Sequence, residues 1–335
     1  MTTYTNVSQN LQETSPKLGV PPQVHQQQGA RERLIVVMGC TGTLGRELMQ
    51  QLVAAPHTIS VRGVLRRADS IYPVPLQTAP TRVSYVTAKH TSVADLSRAF
   101  AGSDALFLLT GTSLQQVEVE TCAVEAAQRA GVRRIIKLSA PLIAKSVSVE
   151  VANWHRQIET TIESTGLEYC FLRPYAFMQN WLRNTHSIRY FGKIVGSAGN
   201  AARNYVDARD VAAVATQLLL SEAAPVHKAL TLQGPEAINN EAIAERLSNV
   251  TGGHIYYENL SFEDHYELLV TRANVPDWLA RHIVELEALA VHIPERSSDS
   301  IKQCLGRYPR TMDEFLQESR LSFTRLPRWK MLLTA

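Results

Sequence analysis

The sequence predicts an α/β fold with a doubly wound parallel sheet, followed by a smaller, mostly helical cap. Two observations support this prediction. Apolar runs of strand length alternate with helix-like segments in the first half of the chain, and beyond about residue 175 the pattern becomes irregular and helical. The apolar runs are 34–40, 59–65, 82–87, 104–110, 133–139 and 167–173.

The first apolar run, Leu-Ile-Val-Val-Met, ends at Gly39 and is continuous, as expected for a parallel strand covered on both faces. The helices also have recognisable ends. Residues 43–54 are amphipathic, Ser92 is placed to cap the next helix, and 114–130 stops at Gly131. Four later helices would cover the carboxyl edge of the sheet, where open α/β sheets bind ligands: 207–221, 239–251, 261–273 and 276–291.

Composition excludes several classes of protein. The 335 residues carry 34 basic and 31 acidic side chains, mixed along the chain without the basic blocks that neutralise a nucleic-acid backbone. Four well-separated cysteines predict reduced thiols, with no disulfide and no metal site. No apolar run approaches the roughly 18 residues that span a membrane, and the N-terminus does not resemble a signal peptide. We therefore expect a cytoplasmic protein that binds neither nucleic acid nor membrane.

A glycine-rich turn follows the first predicted strand. Glycines recur at Gly39, Gly42 and Gly45, between the strand and a helix. Glycine lets the backbone approach a pyrophosphate, whose charge is met by free amides at the helix N-terminus. A tight strand-to-helix turn also needs glycine for steric reasons alone. The strand–turn–helix context favours dinucleotide binding and thus a Rossmann-type core.

The end of the second strand favours NADP, bound as NADPH, over NAD. NAD sites usually hold the ribose hydroxyls with an acidic residue there, whereas NADP sites place a cation beside the 2′-phosphate. No acid lies between Ile59 and Ala68, and the strand ends in Arg66 and Arg67. Either arginine could hold a phosphate bidentately. Alternatively, both are solvated surface side chains.

These features divide the chain into four parts. We predict a flexible polar tail over 1–31 and an NAD(P)-binding Rossmann core over 32–175. Remaining core elements would interleave with a substrate-binding cap over 176–325, and 326–335 would form a C-terminal tail.

Several segments together resemble the NmrA-like family of atypical short-chain dehydrogenases, which includes NmrA-type regulators and quinone oxidoreductases. The resemblance covers about 33–320 and rests on Arg66 and on the segments VMGCTGTLGREL, GVRRIIKLSA, HRQIETTIESTGLEYCFLRPYAFMQNWL, NYVDARDVA, LTLQGPEAINNEAIAERLSNVTG and GRYPRTMDEFL. It implies a pyrophosphate site that also includes Thr41, Thr43 and Leu44, cofactor contacts from Thr110 and Gly111, and a nicotinamide end lined by Ser139, Ala140, Pro141, Pro174, Tyr175, Ala176 and Phe177. The chain departs from many relatives at 87–90, Thr-Ala-Lys-His, where they carry an aspartate near the adenine.

The segment 151–155 offers Val151 and His155 where related folds often carry a catalytic Tyr-x-x-x-Lys. Val151, His155, Ile158 and Ile162 share one helix face, so His155 points inward. The resemblance places it at the nicotinamide pocket, where it could bind ribose or substrate or donate a proton. The alternative is a packed histidine bonded to a backbone carbonyl. Ser139 could polarise a carbonyl or serve as a hydroxyl at the strand end.

The segment after the sixth strand predicts a pocket for a flat, hydrophobic small molecule. Its candidate lining residues, each of which could instead pack in the core, are Tyr175, Phe177, Met178, Asn180 and Trp181. Asp207 and Asp210 are expected to cap and charge a helix rather than act in chemistry.

Together these residues favour an NADPH-dependent reductase of a small conjugated carbonyl compound, a quinone or an enone. The charge that forms on oxygen is spread over such a substrate, so the missing tyrosine is tolerable. Two alternatives remain: a redox-sensing regulator that binds NAD(P) without turnover, and a non-redox isomerase or cyclase. The sequence predicts no particular oligomeric state.

Overall fold

The computed structural model describes residues 32–55, 59–68, 72–73, 82–141, 149–295 and 297–325. The two predicted tails, 1–31 and 326–335, lie outside these residues. Strands in the described ranges are β1 (Arg33–Met38), β2 (Ile59–Leu65), β3 (Arg82–Thr87), β4 (Ala105–Leu108), β5 (Arg134–Leu138), β6 (Glu168–Pro174), β7 (Ala176–Phe177), β8 (Lys193–Gly196), β9 (Arg203–Val206), β10 (Lys228–Leu232), β11 (Ala237–Ile238) and β12 (Tyr256–Asn259).

Helices connect and cover these strands. They are α1 (Thr43–Ala54), α2 (Val93–Phe100), α3 (Gln116–Arg129), α4 (Glu150–Glu163), α5 (Ala208–Leu220), α6 (Asn240–Thr251), α7 (Phe262–Thr271), α8 (Asp277–His292), α9 (Ser300–Leu305), α10 (Met312–Glu318) and α11 (Arg320–Phe323). A 3-10 helix at Met178–Asn184 and a π-helical turn at Ser187–Phe191 follow β7.

Seven strands form one parallel sheet in the order β10-β6-β5-β4-β1-β2-β3. The prediction of a doubly wound α/β fold is therefore confirmed. The chain reverses its direction of winding between β1 and β4, so their carboxyl ends open a crevice at that point. Four successive side chains of β1, Ile35 to Met38, are completely buried because helices cover both faces of the sheet.

One face of the sheet packs against α1 and α5, and the other face packs against α2, α3 and α4. The predicted helix ends agree with the observed caps. The Ser92 hydroxyl accepts a hydrogen bond from the Asp95 amide, and Gly131, just past α3, has the positive φ of 71° that suits glycine. Asp207 caps α5 through the Arg209 amide, as expected, whereas the buried Asp210 binds Arg307 and Arg310.

The C-terminal region contains strands that the sequence analysis did not locate. It contains two small sheets beside its helices, β11-β9-β7 and β12-β8. It also returns a seventh strand, β10, to the main sheet. The sequence pattern did not reveal β10 because none of its apolar residues is β-branched or aromatic, and Lys228 and Ala229 are exposed.

Candidate cofactor and substrate site

The predicted glycine turn lies at the crevice between β1 and β4. Gly39 has a φ of 79°, and a Cβ there would lie 2.4 Å from the Leu109 carbonyl oxygen, which follows β4. A Cβ on Gly45 would lie 2.1 Å from the Gly39 carbonyl oxygen. Both glycines are therefore required by the turn itself, which brings the backbone after β4 against the start of α1.

Gly42 differs from the other two glycines. It is exposed, its φ of −76° suits any residue, and a Cβ would find the Gly39 carbonyl oxygen at 3.4 Å, close to ordinary contact. The first bond of α1 runs from the Arg46 amide to the Gly42 carbonyl, so the first-turn amides of Thr43, Leu44 and Gly45 point out of the helix end. A side chain at Gly42 would fill the space in front of these amides, and the arrangement fits a pyrophosphate.

Arg66 and Arg67 follow β2 directly and are exposed. Beside them lies His90, from the loop after β3, close enough to Arg66 for that charge to act on it. Burial and the Arg66 charge lower the pKa of His90. Its buried Nε2 has no hydrogen-bond partner among the described residues. The loop at 87–90 thus brings a neutral imidazole close to Arg66.

Thr110 and Gly111 lie on the other side of the crevice, after β4. The Thr110 hydroxyl donates to Glu120 Oε1 at 2.6 Å, and Gln116 Nε2 donates to the same oxygen at 3.2 Å. The other Glu120 oxygen, Oε2, binds Lys137 Nζ at 2.5 Å. Glu120 and Lys137 are 1% and 0% exposed, so a complete ion pair is buried beneath the crevice.

His155 lies at the edge of this buried pair. Its helix face is as predicted, with Val151, Ile158 and Ile162 buried. Its described hydrogen-bonding neighbours are two side chains rather than a backbone carbonyl: Lys137 Nζ lies 3.3 Å from Nδ1, and Gln116 Nε2 lies 3.4 Å from Nε2.

Three effects hold the pKa of His155 well below its ordinary value. They are, in order, burial, the charge of Lys137 and the charge that His282 carries when it is protonated. The ring is therefore neutral at pH 7.

Ser139 ends β5 and is buried. Its hydroxyl donates to Glu159 Oε1 at 2.6 Å, and the guanidinium of Arg173 holds both oxygens of the same carboxylate. The Ser139 hydrogen is thus used within the protein, which matches the expectation of a hydroxyl at the strand end. Its role toward a substrate carbonyl stays a prediction. Ala140 and Pro141, which follow it, are partly exposed.

The residues predicted to line the substrate pocket separate into two groups. Pro174 is buried at the end of β6, whereas Tyr175, Ala176 and Phe177 are partly exposed beside it. Met178 and Trp181 are 1% and 4% exposed and pack in the C-terminal core cluster, and Asn180 is exposed. Their contact with substrate stays a prediction.

Helix α8 supplies a wall that the sequence did not reveal. Trp278 lies against Trp154 of α4, with ring centroids 6.0 Å apart. One turn further along α8, His282 influences His155 electrostatically, and its buried Nδ1 has no hydrogen-bond partner within the described ranges. Burial and the charge of Arg203 lower the pKa of His282. Two aromatic walls and two neutral imidazoles therefore border the same region.

The sequence of residues 39–222 matches the family model described as NAD(P)H-binding. The chain belongs to the NAD(P)H-binding family. The matched range begins at Gly39, covers the glycine turn, Arg66, Lys137 and His155, and ends just past α5. The predicted resemblance to NAD(P)H-dependent oxidoreductases is confirmed.

Two relatives of this chain are named as reductases. The chain is 28% identical over 295 residues to the NAD(P)H azoreductase of Xenophilus azovorans, covering 87% of this chain and 99% of the relative. It is 33% identical over 231 residues to the (4-alkanoyl-5-oxo-2,5-dihydrofuran-3-yl)methyl phosphate reductase of Streptomyces griseus, covering 69% of this chain and 78% of the relative.

The fold matches that of the NADPH-dependent quinone oxidoreductase from Escherichia coli complexed with NADPH. The TM-score is 0.75 at 24% identity, over 85% of this chain and 99% of that one. The chain is an NAD(P)H-dependent oxidoreductase, as the sequence predicted.

Among the described residues of this family member, no helix is long and apolar enough to cross a membrane. The same residues contain no group of three or more His, Cys, Asp or Glu side chains that could hold a metal ion.

Sequence reasoning missed the buried pair of Lys137 and Glu120, the amide of Gln116, and the α8 residues Trp278 and His282. One signal was present. Lys137 interrupts the apolar run Ile-Ile-Lys-Leu, and a lysine in a doubly covered strand requires a buried partner. The partner itself, 17 residues earlier on α3, could not be identified before the helix was placed.

Proposed function

We propose that this oxidoreductase uses NADPH to reduce a small conjugated carbonyl compound of the quinone or enone type. The observation that carries the proposal is His155, a neutral imidazole held between Lys137 and Gln116 at the crevice. It replaces the tyrosine and lysine of related folds with a group that can donate a hydrogen bond but is not an imidazolium acid at pH 7.

The cofactor preference rests on Arg66, Arg67 and His90. Bound NADPH would supply the hydride. A guanidinium beside the 2′-phosphate gives a charge-assisted hydrogen bond, and His90, whose Nε2 has no hydrogen-bond partner among the described residues, offers a second polar contact. Burial and the nearby arginine keep His90 neutral at pH 7, so the cation at this site is the arginine.

The weak acid suits the proposed substrate class. Reduction of an isolated ketone leaves a localised alkoxide that needs a strong proton donor at once. In a quinone or enone, the charge on oxygen spreads over the conjugated system, so a hydrogen bond from neutral His155 is enough to orient and stabilise it. We propose that water then supplies the proton.

Aromatic side chains support a flat substrate. Trp154 of α4 and Trp278 of α8 pack against each other with their rings tilted by 49°, and Tyr175 and Phe177 present partly exposed rings after β6. Such walls with a few polar groups are typical of pockets for small organic molecules. The azoreductase and the furan-derivative reductase are named for conjugated or carbonyl-bearing compounds, which supports the same class.

Steady-state NADPH oxidation by the full chain, against a panel of quinones, enones and simple aldehydes, tests the proposal. We expect turnover with quinones or enones and little with aldehydes. His155→Ala and His155→Phe should each lower turnover by about 10²–10³-fold, the cost of losing one hydrogen-bond donor to a developing oxyanion, while NADPH affinity changes little.

Melting temperatures of the same variants separate a functional role from a packing role. A packed histidine would lose stability as alanine, through a cavity, and would keep its turnover as phenylalanine. Full activity in a stable His155→Phe protein would refute the proposed role of the ring.

A further inference from the structure

Lys137 has no direct place in the proposed reaction, yet it is completely buried in the middle of the main sheet. Removing an ammonium group from water is costly, and a methionine would fill the same space without that cost. The ion pair with Glu120 makes the burial tolerable but does not explain it, because Glu120 would also be unnecessary without Lys137.

The three hydrogens of the ammonium group point to its role. Lys137 Nζ has Glu120 Oε2 at 2.5 Å, the Leu138 carbonyl oxygen at 2.8 Å and His155 Nδ1 at 3.3 Å. An ammonium group has three donors and no acceptor. Its contact with His155 is therefore attractive only if Nδ1 accepts, and a neutral imidazole that accepts at Nδ1 carries its hydrogen on Nε2.

The hydrogen on Nε2 then meets no acceptor among the residues that the structure describes. The nearest group is Gln116 Nε2, at 3.4 Å, and this amide nitrogen itself donates to Glu120 Oε1. The oxygen of the Gln116 amide is buried without a hydrogen-bond partner in the described part of the chain, and the residue is 2% exposed. A ring donor and a buried amide acceptor thus stand side by side, and neither has an acceptable partner in the described ranges.

We propose that Lys137 is a positioning residue, which fixes His155 in the tautomer with hydrogen on Nε2 and so directs an N–H donor at a ligand oxygen. If the proposed function is correct, that oxygen is the carbonyl oxygen of the substrate. Only this identification of the ligand rests on the proposed function. Gln116 offers the neighbouring acceptor for a ligand hydroxyl. Lys137 touches neither substrate nor cofactor.

Charged and titratable groups from each packed element act on the ring. Lys137 comes from β5, its carboxylate partner Glu120 from α3 and His282 from α8. The charge of Lys137, and that of His282 when it is protonated, oppose protonation of His155. If the ammonium is removed together with its counterion, the tautomer loses its anchor and the ring becomes easier to protonate.

The test is nitrogen NMR of the full chain labelled with ¹⁵N-histidine, without substrate. The His155 signals, among those of 10 histidines, are identified by their loss in His155→Phe. In the wild type we expect an unprotonated Nδ1 and a protonated Nε2. This measurement needs no variant at Lys137. A protonated Nδ1 would overturn the proposal.

The matched variants are Lys137→Met with Glu120→Gln, which removes both charges, and Glu120→Gln alone, which keeps the Lys137 nitrogen as a donor toward Nδ1. We expect a mixture of tautomers in the double variant and the wild-type tautomer in the single variant. An unchanged tautomer in a folded double variant would also overturn the proposal.

Activity provides an independent readout. The double variant should lose at least about tenfold in kcat, and any inflection of its pH profile due to His155 should lie at higher pH than in the wild type, because the Lys137 charge no longer opposes protonation of the ring. A purely structural Lys137 predicts lower stability with an unchanged pH profile. If no carbonyl compound is turned over by the wild type, the proposed function fails, and the tautomer still decides the role of Lys137.

Discussion

The substitution Gly42→Val should abolish NADPH binding while leaving the protein folded. The Cβ at Gly42 would lie 3.4 Å from the Gly39 carbonyl oxygen, and the φ of −76° is ordinary for valine. The remaining cost is a poorer helix N-cap, about 1 kcal/mol, which lowers Tm by only about 2–4 °C in a protein of this size.

The affinity for NADPH should fall far more than the free energy of unfolding. The valine side chain occupies the space in front of the first-turn amides of α1, where the pyrophosphate would accept charge-assisted hydrogen bonds worth about 1.5–3 kcal/mol each. Loss of two such bonds corresponds to about 3–6 kcal/mol, or roughly 10²- to 10⁴-fold in Kd. Titration calorimetry with NADPH and thermal unfolding of the same samples measure the two effects.

Gly45→Ala is the matched control, because its smaller side chain should do more damage to the fold. Its Cβ would lie 2.1 Å from the Gly39 carbonyl oxygen and 2.8 Å from the Cys40 Cα, both backbone atoms that cannot move aside easily. We expect a Tm loss larger than that of Gly42→Val. Wild-type NADPH affinity in folded Gly42→Val would show that all three glycines serve only the turn.

Two further predictions concern charge. Arg66→Ala should weaken NADPH binding about 10- to 150-fold and leave NADH binding unchanged. The control Arg129→Ala, at the opposite edge of the sheet, should change the affinity for neither cofactor. An equal loss of affinity for NADPH and NADH in Arg66→Ala would contradict a 2′-phosphate contact. Burial would raise the pKa of Glu287, but hydrogen bonds from His265 and Ser197 outweigh it and hold the pKa below its ordinary value. The ionised Glu287 therefore stabilises the fold at neutral pH, and this contribution is lost as the pH falls through the lowered pKa. In urea unfolding at decreasing pH, the free energy of unfolding should fall less in Glu287→Gln than in the wild type.

Most of the sheet could be predicted from the sequence because its signals are local. Runs rich in β-branched and aromatic residues gave β2 and β3 their observed bounds at 59–65 and 82–87, although β3 is an edge strand with partly exposed side chains. Helix ends depend on single capping residues, so Ser92 and Gly131 indicated them correctly. The other edge strand, β10, has the sequence Lys-Ala-Leu-Thr-Leu, in which no apolar residue is β-branched or aromatic, so its composition did not indicate a strand.

The candidate site was only partly predictable for the same reason. Glycines and arginines that follow strands identify the cofactor side, because the carboxyl ends of parallel strands meet at one edge. The surroundings of His155 come from β5, α3 and α8, which are far apart in sequence, and no local spacing relates them.

The sequence by itself determined the class of fold, the dinucleotide turn and the inward direction of His155. Each of these follows from residues that are close to one another in the sequence. Only the tertiary structure decided what His155 faces. It placed Lys137 3.3 Å from Nδ1 and Gln116 3.4 Å from Nε2, and it brought His282 from α8 to the same ring. Hydrogen-bond direction and protonation depend on distances of a few ångströms between elements, and those distances exist only after the helices have packed on the sheet.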